Sequence, residues 1–285
     1  MNKYVSPLRY PGGKLKVLDY VKRLMLDNGL WGGTYIEPYA GGASVALGLL
    51  LERYAKRIKI NDKDRAIFAF WHSVLNETEG LCRMIENTPV TMDTWYEQRE
   101  VQREKETADL LTLGFSTFFL NRTNRSGILS GGVIGGKEQT GNYLIDARYN
   151  KADLIGRIEQ IAVCSDQIEL TSMDAVELIN RYKRAPAEKT LAYLDPPYYV
   201  KGRDLYLNYY TDDDHRDIAK AIKKYKGKWI ISYDAVEFIS GLYKEYRQKE
   251  YHLSYSAGNP TKGKEIMIYS DGLVIPEIEI VRLKK

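Results

Sequence analysis

The chain has 285 residues, 44% of them hydrophobic and 28% charged, with a formal net charge of +4 from 42 basic and 38 acidic side chains. This composition excludes disorder as the global state, and the length suits about two domains with a core that needs no disulfide staples. The longest apolar stretch, Val45 to Leu51, is far short of the ~20 residues that a membrane span requires.

The N-terminus has no apolar stretch of signal-peptide kind. Cys82 and Cys164 cannot build a disulfide framework, and neither has a neighbouring cysteine at zinc spacing. Together these features point to a reducing, cytoplasmic setting. In chain order, Leu18, Val21, Leu24 and Met25 recur at helical spacing within residues 15–27. A short strand, Thr34-Tyr35-Ile36, runs into Glu37-Pro38-Tyr39-Ala40-Gly41-Gly42-Ala43, and a helical run follows from Ser44 to Tyr54. Arg57 to Ile60 alternates as a second strand ending at Asn61-Asp62. Residues 65–120 read as helical, with Ala66, Phe70 and Val74 on one face. Residues 121–150 carry six glycines, 127, 131, 132, 135, 136 and 141, which suits turns or a hairpin and no helix.

Strand–helix alternation resumes near residue 166. Ile168 to Thr171 is a strand, Ala175 to Tyr182 a helix, and Thr190 to Leu194 a buried strand entering Asp195-Pro196-Pro197-Tyr198. Thr211 to Asp214 has capping-box form, and the helix after it has Ile218, Ile222 and Tyr225 on one face. Trp229 to Tyr233, Glu265 to Tyr269 and Ile278 to Val281 are β-like. Such alternation predicts an α/β layer with a largely parallel sheet. Because 65–165 does not alternate, the expected division is a catalytic domain of residues 1–64 and 166–285, interrupted by an insertion at 65–165.

Three segments can carry chemistry. The turn Glu37–Ala43 follows a first strand, where α/β sheets bind ligands, and Gly41-Gly42 let a ligand approach the backbone. It is not G-x-G-x-x-G. Asp62, about 20 residues on, suits a ribose, so a nucleoside-containing cofactor is expected; on its own this turn is as easily a tight bend with a surface acid. In Asp195–Tyr198 the prolines stiffen the backbone. The Asp195 carboxylate and the Pro196 carbonyl become two rigid acceptors beside the ring of Tyr198. Two acceptors and a flat face fit a planar ligand with an exocyclic amino group, such as adenine. Pro7 to Lys14 puts a positive charge and an aromatic ring near a helix start, suited to a carboxylate.

Two patterns fail. Gly131 to Lys137 matches a phosphate loop until Glu138, where Ser or Thr is needed. His72, His215 and His252 are scattered without metal-ligand spacing, so no metal is expected. Residues 121–157 hold six basic side chains (Arg122, Arg125, Lys137, Arg148, Lys151, Arg157) against three acidic ones (Glu138, Asp146, Asp153). Charge alone would fit a solvated loop.

In their order along the chain, Pro7–Lys14, Glu37–Ser44, Asn61-Asp62, an inserted region, Asp174 and Asp195–Tyr198 resemble the Dam-type, alpha-group family of DNA adenine-N6 methyltransferases over nearly the whole length. The resemblance implies a Rossmann-like class I methyltransferase sheet with helices on both faces, and a mainly helical target-recognition insertion carrying a hairpin at Gly131–Arg148. It implies S-adenosylmethionine as cofactor. Tyr10 and Lys14 would contact it, Lys14 near its carboxylate; Glu37, Pro38, Ala40, Gly41 and Gly42 would hold the methionine end; Asp62 would bond the ribose; Asp174 would sit by the cofactor's adenine and Asp195 beside its reacting end. The family usually has Phe after that acid, where this chain has Ala175. Asp195, Pro196 and Tyr198 would be catalytic on a flipped-out adenine in duplex DNA. Asn121, Arg122, Asn124, Arg125, Ser126, Lys137 and Arg148 would contact the DNA. A monomer or weak dimer is expected, in a bacterial or phage setting, with a cognate restriction endonuclease left open as partner. An RNA adenine methyltransferase and a catalytically silent DNA-binding module of the same fold remain as alternatives. A nicotinamide-linked oxidoreductase is disfavoured by the missing glycine fingerprint.

Overall fold

The computed structural model describes residues 5–9, 14–183, 188–200, 210–254 and 262–281. A 3-10 turn at Lys14–Val17 leads into α1 (Leu18–Asp27), followed by β1 (Gly33–Glu37), α2 (Ser44–Leu51) and β2 (Ala55–Asn61). Five helices come next: α3 (Arg65–Asn76), α4 (Thr78–Asn87), α5 (Met92–Arg103), α6 (Leu110–Thr123) and α7 (Lys151–Ala162). Then follow β3 (Ile168–Thr171), α8 (Ala175–Tyr182), β4 (Thr190–Leu194), α9 (Asp212–Lys223), β5 (Lys228–Asp234), α10 (Glu237–Leu242), β6 (Arg247–Ser254) and β7 (Lys262–Tyr269).

The seven strands form one sheet in the order β3-β2-β1-β4-β5-β7-β6. Pairing is parallel from β3 through β5, and β7 runs antiparallel to both β5 and β6. The chain builds outward from β1 to β3, then returns to place β4 on the other side of β1. The β1–β4 boundary is therefore the topological switch point, where a crevice opens beyond the carboxyl ends of the strands.

Alternation along the strands sends side chains to two cores. Tyr35, Leu191, Tyr193, Ile230, Met267 and Tyr269 join α1, α2 and the helices of 65–165 in one cluster. Ile36, Ala192, Leu194, Ile231, Tyr233 and Ile268 face α8, α9 and α10 in the other. Thus Phe70, Trp71, Phe118 and Ile158 from the helical segment share a continuous core with Val21 and Leu47. The helical run expected over 65–120 is broken by side-chain caps. Thr91 and Asp109 accept from the backbone of Thr94 and Thr112 and start new helices. The capping box at Thr211–Asp214 is present in full.

Two expectations are corrected. Residues 131–148 form turns, not a hairpin; the one antiparallel bridge there joins Asn124 to Val133. Gly135 and Gly136 adopt positive φ, and Gln139 satisfies the backbone locally, donating to the Ile134 and Gly136 carbonyls and accepting from Ile145 N. With its polar groups met inside the loop, the segment has no need of a ladder partner. Ile278–Val281 is likewise not a strand. Ile280 is buried against the main cluster without pairing to the sheet, and the outer antiparallel strand is β6 instead. No described helix is long and apolar enough to cross a membrane.

Candidate active site

The glycine turn and the Asp-Pro-Pro-Tyr segment leave the carboxyl ends of neighbouring parallel strands. Tyr35 pairs with Leu191 and Ile36 with Ala192, so Glu37–Ala43 and Asp195–Tyr198 flank the switch point on either side. Adjacent strands lie about 5 Å apart, so both segments border one crevice.

The turn is shaped by backbone that L-residues seldom adopt: Gly41 has φ 46 and Ala43 φ 47. Three anchors hold it. The Ala40 amide donates to the Asn61 carbonyl at 2.9 Å, Trp71 Nε1 donates to the Gly41 carbonyl at 2.8 Å, and Gly41 N donates to Asp62 Oδ2 at 2.9 Å. Asn61, buried at the end of β2, ties the neighbouring loops together by donating to the Pro38 and Met173 carbonyls. Asp62 Oδ1 also accepts from Asp64 N at 3.0 Å. Burial pushes the Asp62 carboxyl up to about 6. Each oxygen has accepted one backbone donor and retains a second lone pair.

Glu37 is 4% exposed. Among the described residues its carboxylate accepts only from Ala46 N, at 3.3 Å, in the first turn of α2. Burial holds its pKa well above the ordinary carboxylate range, and the nearby Asp195 charge adds to this. A buried acid without a cation beside it is a natural counter-charge for a cationic ligand. Asp174 caps α8 by accepting from Val176 N at 2.9 Å, and its other oxygen pairs with Lys63 at 3.0 Å. Asp62 and Asp174 therefore stand at the ends of adjacent strands, β2 and β3.

Asp195 lies in a charged network. Its Oδ1 accepts from Ser232 Oγ at 2.6 Å and lies 3.3 Å from Lys14 Nζ, while no described residue hydrogen-bonds its Oδ2. Burial raises the Asp195 pKa, and Lys14 and Ser232 only partly oppose this. Lys14 Nζ also donates to Glu265 Oε2 at 3.0 Å and to the Tyr198 hydroxyl, and sits 4.7 Å from the centre of the Tyr198 ring. Burial works against the ammonium, yet Asp195 and Glu265 hold its pKa above the usual lysine value. Glu265 in turn accepts from Tyr251 OH at 2.6 Å. Lys14 thus joins the helix start to the Asp-Pro-Pro-Tyr segment rather than projecting as a free cation.

Ser232, Tyr251 and Glu265 were not expected from the sequence. The only signal was a polar residue in otherwise apolar strands, as in Trp229-Ile230-Ile231-Ser232. Tyr10 lies outside the described residues. Pro196 is buried beside Asp195, and Pro38, Ala40 and Gly42 lie in the turn as expected.

The DNA-contact set divides by burial. Arg125, Lys137 and Arg148 are exposed, and Ser126 is half-buried at φ 56. Asn121 and Asn124 are buried instead. Asn121 accepts from Arg9 N at 2.7 Å and donates to the Arg9 and Gly127 carbonyls. Asn124 accepts from Trp95 Nε1 and donates to the Ile128 and Leu129 carbonyls. Both amides give their donors to backbone, at 1% and 0% exposure, and so shape the loop. Arg122 is buried too, and burial with the repulsion of Arg157 and Arg9 pushes it down to about 10.

No group of three or more His, Cys, Asp or Glu side chains among the described residues is placed to hold a metal ion. S-adenosylmethionine fits what the crevice offers. Buried Glu37, with no cation beside it among the described residues, suits its ammonium, Asp62 its ribose, and the Gly41 turn leaves backbone open to close approach.

A family model of D12 class N6 adenine-specific DNA methyltransferases matches residues 10–256. The chain is 24% identical over 225 residues to the Type II methyltransferase M.CviBI of Paramecium bursaria Chlorella virus NC1A, covering 78% of this chain and 81% of that protein. Among solved structures it is similar to PH1948 from Pyrococcus horikoshii, a proposed RNA methyltransferase, at 10% identity and TM-score 0.43, over 92% of this chain and 83% of that one. It is also similar to a SAM-dependent methyltransferase from Agrobacterium tumefaciens at 7% identity and TM-score 0.42, over 88% and 60% of the two chains. The family match spans most of the chain and includes both segments at the switch point. The chain belongs to the D12 class of N6 adenine-specific DNA methyltransferases, enzymes that use S-adenosylmethionine to methylate adenine in DNA.

Proposed function

We propose that this protein methylates adenine within a specific duplex sequence, acting on a base flipped out of the helix into the crevice between Glu37–Ala43 and Asp195–Tyr198. The observation that carries this reading is the placement of both segments at the ends of β1 and β4, with Asp195 Oδ2 left without a hydrogen bond from any described residue. The adenine amino nitrogen is a poor nucleophile because its lone pair is delocalised into the ring. Asp195 Oδ2 and the Pro196 carbonyl each accept one amino hydrogen, which favours a tetrahedral nitrogen with a localised lone pair. S-adenosylmethionine supplies an activated sulfonium methyl group when bound. Glu37 faces its ammonium, Asp62 its ribose and Asp174 its adenine. Holding two reactants in line is worth about 7–11 kcal/mol, more than any single hydrogen bond supplies, so positioning dominates.

The target nitrogen is inaccessible in stacked duplex DNA, and flipping costs a few kcal/mol. Stacking on Tyr198, worth about 1–3 kcal/mol, offsets part of that. Residues 65–165 act as the target-recognition insertion on a catalytic domain of 1–64 and 166–285. Exposed Arg125, Lys137 and Arg148 grip phosphates or guanine edges, with Arg122, Arg9 and Arg157 deepening the positive field behind them. The setting is cytoplasmic, in a bacterium or phage.

The test is transfer of labelled methyl to genomic DNA that lacks N6-methyladenine, alongside Asp195→Ala. Wild type labels adenine N6, and the variant loses at least about 10²-fold in rate. Persistence of wild-type transfer in Asp195→Ala removes the carboxylate from the mechanism. Labelling of RNA in preference to DNA would move the substrate to the other polymer.

A further inference from the structure

Strand β5 outruns its neighbour. Leu194, the last residue of β4, pairs with Ile231, so Ser232, Tyr233 and Asp234 continue alongside the catalytic segment. Ser232 and Asp234 stand two apart on the strand and point to one face. Ser232 holds the Asp195 carboxylate. Asp234 holds what comes after it: Oδ1 accepts from Tyr199 N at 2.9 Å and Oδ2 from Val200 N at 2.8 Å. Its side chain is buried, at 6% exposure.

The need for such an anchor follows from the sequence. Pro196 and Pro197 have no N–H to donate, so after Asp195 the chain has no amide to offer before Tyr198. The next two residues then give both their amides to one carboxylate, in charge-assisted bonds stronger than neutral ones. The Tyr199 ring stacks on Phe238 of α10, 4.8 Å between centroids and 28° between planes. This second contact comes from the same β5–α10 corner.

We propose that Asp234 is a positioning residue for methyl transfer. It clamps the backbone after Tyr198 and so keeps the Pro196 carbonyl and the Tyr198 ring in register with the Asp195 carboxylate that Ser232 orients. The overhang of β5 is thus a two-point template, one point on each side of the prolines. This rests on the reading of Asp195–Tyr198 as the catalytic segment.

The experiment compares wild type, Asp234→Asn, Asp234→Ala and Asp195→Ala in single-turnover methylation of N6-methyladenine-free genomic DNA. S-adenosylmethionine binding is measured by calorimetry on the same preparations. Misplacement of a reacting group by about 1 Å costs on the order of 10²-fold, and that is the loss expected for Asp234→Ala. Asn keeps one acceptor but sets an amino group against the second N–H, so its rate falls between. The KM for DNA and the cofactor Kd stay within about threefold of wild type, the signature of an interaction felt in the transition state. A merely structural role would lower cofactor affinity and thermal stability in step with rate, and that result overturns the inference. So does a rate for Asp234→Ala within about threefold of wild type. If Asp234→Ala does not fold, Asp234→Asn decides by the same comparison. Loss in Asp195→Ala with none at Asp234 removes this inference alone; activity in Asp195→Ala removes the reading beneath it.

Discussion

At the residue scale, Asp62 has two tasks. It fixes the glycine turn through Gly41 N, and in the proposed function it receives the cofactor's ribose. With its pKa near 6, the carboxylate gains a proton as pH falls through about that value. The ionised form is the better acceptor, so acidification weakens cofactor binding, and the contribution of Asp62 levels off above it. Glu37 acts in the same sense: its pKa is raised by burial, and a bound ammonium favours its ionised form, so binding releases a proton. Calorimetry should show S-adenosylmethionine affinity dropping about tenfold between about pH 7.5 and about pH 5. The step near 6 should vanish in Asp62→Asn. A flat wild-type profile across that range would remove Asp62 from the ribose contact.

Among the elements, the close crossing of α3 and α6 is set by Gly114. A Cβ there would lie 2.3 Å from Ser73 Oγ and 2.7 Å from the Ala69 carbonyl. Ser73 can rotate, although its single hydroxyl hydrogen is shared between the Ala69 and Leu110 carbonyls; the Ala69 backbone cannot move without shifting α3. Two effects oppose each other in Gly114→Ala. Helix propensity gains about 1 kcal/mol, and overpacking costs about 1–3 kcal/mol. With a backbone atom in the way, overpacking wins. Thermal unfolding should show a melting temperature lowered by a few degrees; an unchanged or raised value would mean that the two helices separate freely. Gly127 sets a similar close approach on the other side of Asn121, since a Cβ there would lie 2.3 Å from the Arg9 carbonyl. That carbonyl accepts from Asn121.

Over the whole molecule, most of the excess positive charge falls within residues 121–157, outside the two segments that border the crevice. Among the described residues Glu37, Asp62, Asp195 and Glu265 outnumber Lys14 around the switch point, which suits a cationic cofactor. Within residues 121–157, Arg125, Lys137 and Arg148 carry the exposed charge that suits a polyanion. Binding to duplex DNA should weaken linearly in log K against log salt. Replacing Arg148, whose guanidinium lies 5.7 Å from the Tyr143 ring, by Ala should weaken binding similarly across sequences and reduce the slope by about 1. An unchanged slope in Arg148→Ala would place that arginine off the phosphate path.

What was legible in the amino acids was whatever depends on short range. Period and punctuation located β3, α8 and β4, because turn residues and a change of hydrophobic period are local signals. Two prolines after a buried strand marked the Asp195–Tyr198 segment for the same reason. Residues far apart in the chain met only on folding. Glu265 reaches Lys14 across 251 positions, and Ser232 reaches Asp195 only because β5 lies beside β4 and runs longer. The fate of Asn121 and Asn124 was likewise decided by tertiary contact: a polar side chain in a basic, glycine-rich stretch looks available until the fold shows which backbone groups it must satisfy. Alternation, capping and turn chemistry thus set the elements and the order of the motifs. Strand neighbourhood and burial set which of those side chains share a site, since distance in space and access to water are properties of the packed chain alone.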